Sequence, residues 1–135
     1  MKDAIALIEI LEKQIEDDNY NEILSLFQKV KIIIQANERN QDTLIQNGLI
    51  DVCCSFLSTC ISSPIKESES ITCLEIVSWI TINITAGYHN NETKICTNNG
   101  MVEYYVEIIL KNQCITSEMI ENVLFFFKSQ IIKKK

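Results

Sequence analysis

The sequence has few residues that break helices or form tight turns: three glycines and one proline among 135 residues. β-Sandwiches and small barrels need many turns, so this shortage argues against both architectures. Hydrophobic residues make up 47% of the chain, which is enough for a packed core, and this length fits one domain. We therefore expect one folded domain spanning residues 1–135.

Positive charge is also scarce. Arg39 is the only arginine, and the formal net charge is −6. Proteins that bind duplex nucleic acid cluster their cations, so nucleic acid is not the expected partner; an acidic chain suits a basic protein segment better. Glu75 interrupts the best candidate for the roughly 20 apolar residues that cross a membrane. Charges at Asp3 and Glu9 argue against a signal peptide, so we expect a cytoplasmic and/or nuclear protein that does not bind membranes.

Residue types that build metal and catalytic sites are sparse or poorly spaced. His89 is the only histidine, and no two cysteines form a C-x-x-C pair, which argues against zinc. No nucleophile–base pair, phosphate loop or carboxylate pair is apparent. We expect no catalytic residue, no metal ligand and no cofactor, and hence a protein that is not an enzyme. We expect buried, reduced thiols at Cys53, Cys54, Cys60, Cys73, Cys96 and Cys114.

Apolar residues recur at helical spacing along nearly the whole chain, and no stretch alternates with a period of two. This pattern predicts an all-α fold. The apolar face of the first helix carries Ile5, Ile8, Leu11 and Ile15. The apolar face of the second helix carries Ile23, Leu26, Phe27, Val30, Ile33 and Ile34.

Two segments of the chain resemble each other. Residues 41–57 align with residues 93–109, and Gly48 falls opposite Gly100. Each segment reads as a short helix, an Asn-Gly corner and a longer helix, since glycine adopts the positive φ that a sharp corner often needs. Third helices are predicted at residues 67–86 and 117–132. Residues 3–16 and 21–36 supply the last two helices of an earlier unit, which gives units of about 1–37, 38–88 and 89–135.

This order of helices resembles the armadillo repeat, in which a short helix, a glycine corner and two longer helices recur. The resemblance covers most of the chain. It implies a right-handed α-solenoid of about two and two-thirds three-helix repeats, with the third helices lining a concave groove.

The segment SWITINITAG, residues 78–87, resembles more narrowly the W-x-x-x-N segment of the importin-α branch. There, tryptophans stack on lysine side chains of an extended peptide and asparagine amides hold its backbone. The resemblance implies these roles for Trp79 and Asn83. The equivalent positions of the other two units carry different residue types: Gln28 and Ile32, and Phe125 and Ser129.

Helical geometry places Thr72, Glu75, Trp79 and Asn83 on one arc of about 80°, beside an apolar arc. Two interpretations of Trp79 remain open at this stage. The indole either fills the core, or it faces a groove where a partner's lysine meets an aromatic face, a carboxylate and an amide.

The sequence therefore favours a protein-interaction module, either importin-α-like or a general armadillo adaptor, that binds an extended basic segment. One alternative is a small-GTPase regulator resembling the armadillo-type GDP-dissociation stimulators, which stimulated nucleotide release would reveal. The other alternative is a structural subunit that self-associates, with its groove filled by a second copy.

Overall fold

The computed structural model describes the backbone of residues 2–36, 38–62, 68–87, 101–111 and 116–133. Within these ranges the chain forms seven α-helices and no strand, which confirms the all-α prediction for this part of the chain. In chain order, the helices are α1 (Lys2–Glu16), α2 (Tyr20–Ala36), α3 (Glu38–Gln46), α4 (Leu49–Ser62), α5 (Ser68–Gly87), α6 (Met101–Lys111) and α7 (Ser117–Lys133).

Hydrophobic spacing and the internal repeat together located the helices closely. The four predictions at 3–16, 21–36, 67–86 and 117–132 each agree with an observed helix to within one residue at either end. Local chemistry marks some of these ends. Asp18, which follows α1, has a φ of 54°, and the Thr116 hydroxyl caps α7 by accepting a 3.2 Å hydrogen bond from the Met119 amide.

The helices pack in two sets. α5 lies between α2 and α7, which both contact it, and α4 lies between α1 and α6 in the same way. The short helix α3 contacts α1, α2 and α4. Helices α2, α5 and α7 therefore form one layer, and helices α1, α4 and α6 form the other.

Aromatic side chains join the two layers. Phe27 of α2 meets Phe56 of α4 edge to face, with ring centroids 5.5 Å apart. Tyr105 of α6 meets Phe126 of α7 at 5.7 Å, and the buried Tyr105 hydroxyl is 2.7 Å from the Thr81 hydroxyl of α5. Because burying an unpaired hydroxyl is costly, this hydrogen bond allows tyrosine to serve as a core residue.

The Asn47-Gly48 corner connects α3 to α4. Gly48 has a φ of +104°, a backbone conformation that side chains with a Cβ rarely adopt. Its amide donates to the Ile45 carbonyl at 3.2 Å, so the corner closes directly on the end of α3. Gly100, the aligned glycine, lies outside the described residues.

One predicted core position is wrong. Ile5 was expected on the buried face of α1, but its side chain is 44% exposed. Among the described helices, α1 ends its layer and contacts one helix of that layer, α4, so its other flank faces no helix of the layer. Leu7 is buried instead. On α2, Ile33 is half-buried, while the other five predicted positions are buried.

Among the described residues, no single helix is long and apolar enough to cross a bilayer. One bent pair of helices, Arg39–Gln46 with Leu49–Ser62, has together the length and composition of a membrane span, but the two helices meet at an angle of 65°.

Candidate functional site

Helix α5 is enclosed along most of its circumference. Between residues 71 and 84, eight side chains are buried, six are half-buried and none is fully exposed. At 100° per residue, the half-buried positions share one arc of about 120°, and the buried positions occupy the remainder. We call this arc the α5 strip, and it consists of Ile71, Thr72, Glu75, Trp79, Ile82 and Asn83.

All four predicted binding residues therefore lie side by side on the α5 strip. The apolar positions predicted for the adjoining arc are buried: Cys73, Ile76, Val77, Ile80 and Ile84. This division of α5 was readable from the sequence because an inner helix flanked on both sides can reach solvent only along one narrow arc.

Trp79 is neither a fully buried core residue nor a free surface residue. Its indole is half-buried and packs against the edge of the core. The Lys31 ammonium of α2 lies over the ring, with Nζ 4.8 Å from the ring centroid. This distance is within the range of a cation–π interaction, about 6 Å. One of the two interpretations of the sequence placed a partner's lysine on this ring; in the structure, a lysine of the same chain is in contact with it.

Asn83 lies one turn after Trp79 and is fixed from two directions. Its side-chain amide donates a 2.8 Å hydrogen bond to the Trp79 carbonyl. Its own carbonyl accepts a 3.0 Å hydrogen bond from the buried Gln41 side chain of α3. Since a side-chain amide has two N–H donors and one acceptor oxygen, the bond to Trp79 leaves Asn83 further hydrogen-bonding capacity.

The middle of α5, between Glu75 and Trp79, is anchored to α7. The Ser78 hydroxyl donates to the Glu75 carbonyl at 2.8 Å, and it accepts a 3.1 Å hydrogen bond from the Asn122 amide of α7. The Glu75 carboxylate itself belongs to the half-buried α5 strip. Neighbouring helices therefore hold the backbone that carries Glu75, Trp79 and Asn83.

The repeat alignment gave Gln28 and Ile32, or residues near them, and Phe125 and Ser129 as the equivalents of Trp79 and Asn83 on the two neighbouring helices. Gln28 and Ile32 of α2 are exposed, and Lys31 is the α2 residue that meets Trp79. On α7, Phe125 is 54% exposed, and Asn122 bonds to α5. The side chain of Ser129 lies outside the described residues. Lys31 can make this contact because a lysine at the edge of an apolar helix face can bury its stem and reach a neighbouring helix with its ammonium.

The thiols of the described residues are buried and poorly nucleophilic. Cys53, Cys54, Cys60 and Cys73 are free and buried. Burial, with a smaller contribution from Cys73, raises the pKa of the Cys60 thiol to about 12. A thiol with so high a pKa stays protonated and is a poor nucleophile. Cys96, Cys114 and His89 lie outside the described residues, within which no group of three or more His, Cys, Asp or Glu side chains could hold a metal.

Comparison of the chain with family models, curated proteins and solved structures finds no match. The resemblance to armadillo repeats therefore stays a prediction from the residues quoted above.

Proposed function

We propose that this chain is a non-enzymatic interaction module that binds a lysine-containing extended segment of another protein along the α5 strip. The fold we propose for it is an armadillo-like α-solenoid. The layer of α2, α5 and α7, the layer of α1, α4 and α6, and the sharp corner at Gly48 support that architecture. In such a stack, α5 is the middle helix of the layer that lines the groove.

The observation that carries the binding proposal is the ammonium 4.8 Å from the Trp79 ring centroid. It supports the α5 strip as a place where a lysine is chemically favoured, since an aromatic face attracts a cation through its quadrupole. The carboxylate of Glu75, one turn earlier on the same strip, supplies a charge partner. The net charge of −6 favours the approach of a basic segment as well.

Lys31 gives the proposed site a defined competitor. A lysine from the partner displaces the Lys31 ammonium from the indole and takes the same position. The displaced Lys31 side chain is long and flexible, so it turns toward solvent at modest cost. Asn83 then hydrogen-bonds the peptide backbone with the capacity that its bond to Trp79 leaves.

A fluorescence anisotropy titration tests the proposal with a short fluorescein-labelled extended peptide rich in lysine. We expect the wild-type chain to bind it, and Trp79→Leu and Glu75→Gln to weaken binding. Matched controls are Phe125→Leu, which removes an exposed aromatic ring of α7, and Glu9→Gln, which removes an exposed carboxylate of α1.

The result is specific only if a peptide with glutamate in place of every lysine does not bind. Equal affinity of the two α5-strip variants and the two control variants would place the binding site elsewhere. Absence of binding to the lysine peptide would reject the proposed function.

A further inference from the structure

Where the structure describes side chains, the large exposed apolar ones belong to the helices that end the two layers. Eight large hydrophobic residues of the described chain are exposed, and all belong to α1, α2, α6 or α7. They are Ile5, Ile10, Ile32, Val106, Leu110, Ile120, Leu124 and Phe125. Counting only the described helices, α4 and α5 have a neighbour on each side in their layer, whereas each terminal helix has a layer neighbour on one side.

Helix α7 carries one of these apolar surfaces together with two opposite charges. Ser117 and Glu118 are exposed in its first turn. Beyond that turn, the exposed residues among the described side chains are Ile120, Glu121, Leu124, Phe125 and Lys128. At 100° per residue, these five positions share an arc of about 140°. The opposite side of α7 carries Met119, Val123 and Phe126, which are buried. We call the five exposed residues on this arc the α7 face.

The charges of the α7 face are arranged symmetrically about its apolar centre. Glu121 and Lys128 are seven positions apart, which is about 10.5 Å along a helix, so they are too far apart to pair with each other. The midpoint between them falls between Leu124 and Phe125. A two-fold axis at this midpoint sets two α7 helices antiparallel, with Glu121 of each copy opposite Lys128 of the other and Leu124 opposite Phe125.

We propose that two copies of this chain associate symmetrically through their α7 faces. The α7 face has an apolar centre, and its two charges are complementary to those of a second copy. An isologous two-fold interface requires such self-complementarity. Helix α6 also has exposed apolar residues, with Glu107 and Lys111 beside them. These two charges pair with each other at 3.5 Å within the helix, so they do not select a second copy as the charges of the α7 face do. Contact of the α7 face with α1 and α2 of another copy would be heterologous and would build a ring or an open chain of molecules instead of a two-fold dimer.

Sedimentation equilibrium of the full chain over a range of concentrations tests the proposal through charge exchange. We expect the wild-type chain to reach twice its monomer mass of 15.5 kDa and no more. Glu121→Lys and Lys128→Glu each set like charges against each other twice, so each should raise the dimer dissociation constant at least about tenfold. The double variant restores both opposite pairs, and its dissociation constant should return toward the wild-type value.

The control is the equivalent exchange on α1, Glu9→Lys with Lys13→Glu, which should leave the dimer unchanged. Circular dichroism establishes that every variant is folded. A wild-type chain that stays monomeric, a ladder of larger oligomers, or a folded double variant that fails to recover dimerisation would each overturn the proposal. Because no residue of the α5 strip belongs to the α7 face, these results do not depend on peptide binding.

Discussion

The Lys31 ammonium of α2 lies 4.8 Å from the centroid of the Trp79 ring of α5. This contact accounts for the presence of the only tryptophan on the half-buried strip of an otherwise enclosed helix. The indole buries one part against the core and offers another to a cation. The sequence left open whether Trp79 is a core residue or faces outward. In the structure Trp79 lies at the boundary of the core, partly buried and partly exposed.

Replacing Lys31 should tighten the binding of a lysine-rich peptide. Lys31→Gln removes the ammonium that competes for the indole, and an exposed cation–π contact is worth about 0.5–1 kcal/mol. We therefore expect an affinity gain of roughly two- to fivefold in an anisotropy titration. Lys29→Gln, which removes an equal charge from an exposed position of α2, separates this local effect from the change in net charge. Equal gains in the two variants would mean that Lys31 does not compete at Trp79.

Shortening Trp79 should destabilise the fold by less than a fully buried tryptophan would. Truncation of a buried tryptophan to alanine costs about 3–5 kcal/mol, and Trp79 is half-buried. We expect Trp79→Ala to lower the free energy of unfolding by about 1.5–3 kcal/mol, measured by urea denaturation with circular dichroism. Trp79→Leu should lose less because it keeps part of the packing. A cost near 5 kcal/mol for Trp79→Ala would indicate a core residue.

Adding a side chain at Gly48 should cost stability through the backbone alone. A Cβ at this position would lie 3.8 Å from Ile8 Cγ2, an ordinary contact, while the φ of +104° is unfavourable for any residue with a Cβ. We expect Gly48→Ala to lower the free energy of unfolding by more than about 1 kcal/mol. Ser55→Ala, at an exposed position of α4, should change it by less than about 0.5 kcal/mol. Unchanged stability of Gly48→Ala would mean that the corner carries no strain.

Stability should fall in alkaline solution as unfolded thiols ionise. Burial raises the pKa of both Cys54 and Cys60 from 9.0 to about 12, so the folded chain holds these protons more tightly than the unfolded chain. This contribution is complete below about pH 9 and is lost as the pH rises toward the folded pKa. We expect the free energy of unfolding in urea to decrease above about pH 9, and a thiol reagent to label these cysteines slowly until the chain is unfolded. A stability that rises with pH over this range would contradict the burial of these thiols.

Hydrophobic spacing was sufficient to place α1 and α2 because an apolar stripe with helical period has one simple interpretation. Helices α5 and α7 were placed as the helices that follow the longer helix of each repeated unit. Helical geometry also put Trp79 and Asn83 on one arc of α5, but it left open whether that arc faces solvent. Hydrophobic spacing wrongly predicted a buried Ile5. The exposure of a side chain at the end of a layer depends on the absence of a neighbouring helix, which the local sequence pattern does not contain. Lys31 escaped prediction for a related reason: its partner lies on another helix, 48 positions along the chain.

The most direct test of the proposed site is the emission of Trp79 itself, since no other tryptophan contributes to the signal. Titration with an unlabelled lysine-rich peptide should shift the emission to shorter wavelength and reduce quenching by acrylamide, because the peptide covers the exposed part of the indole. The effect should weaken as salt screens the charges, and a peptide with norleucine in place of lysine should not produce it. Peptide that binds by anisotropy while leaving the Trp79 emission and its quenching unchanged would contradict the account.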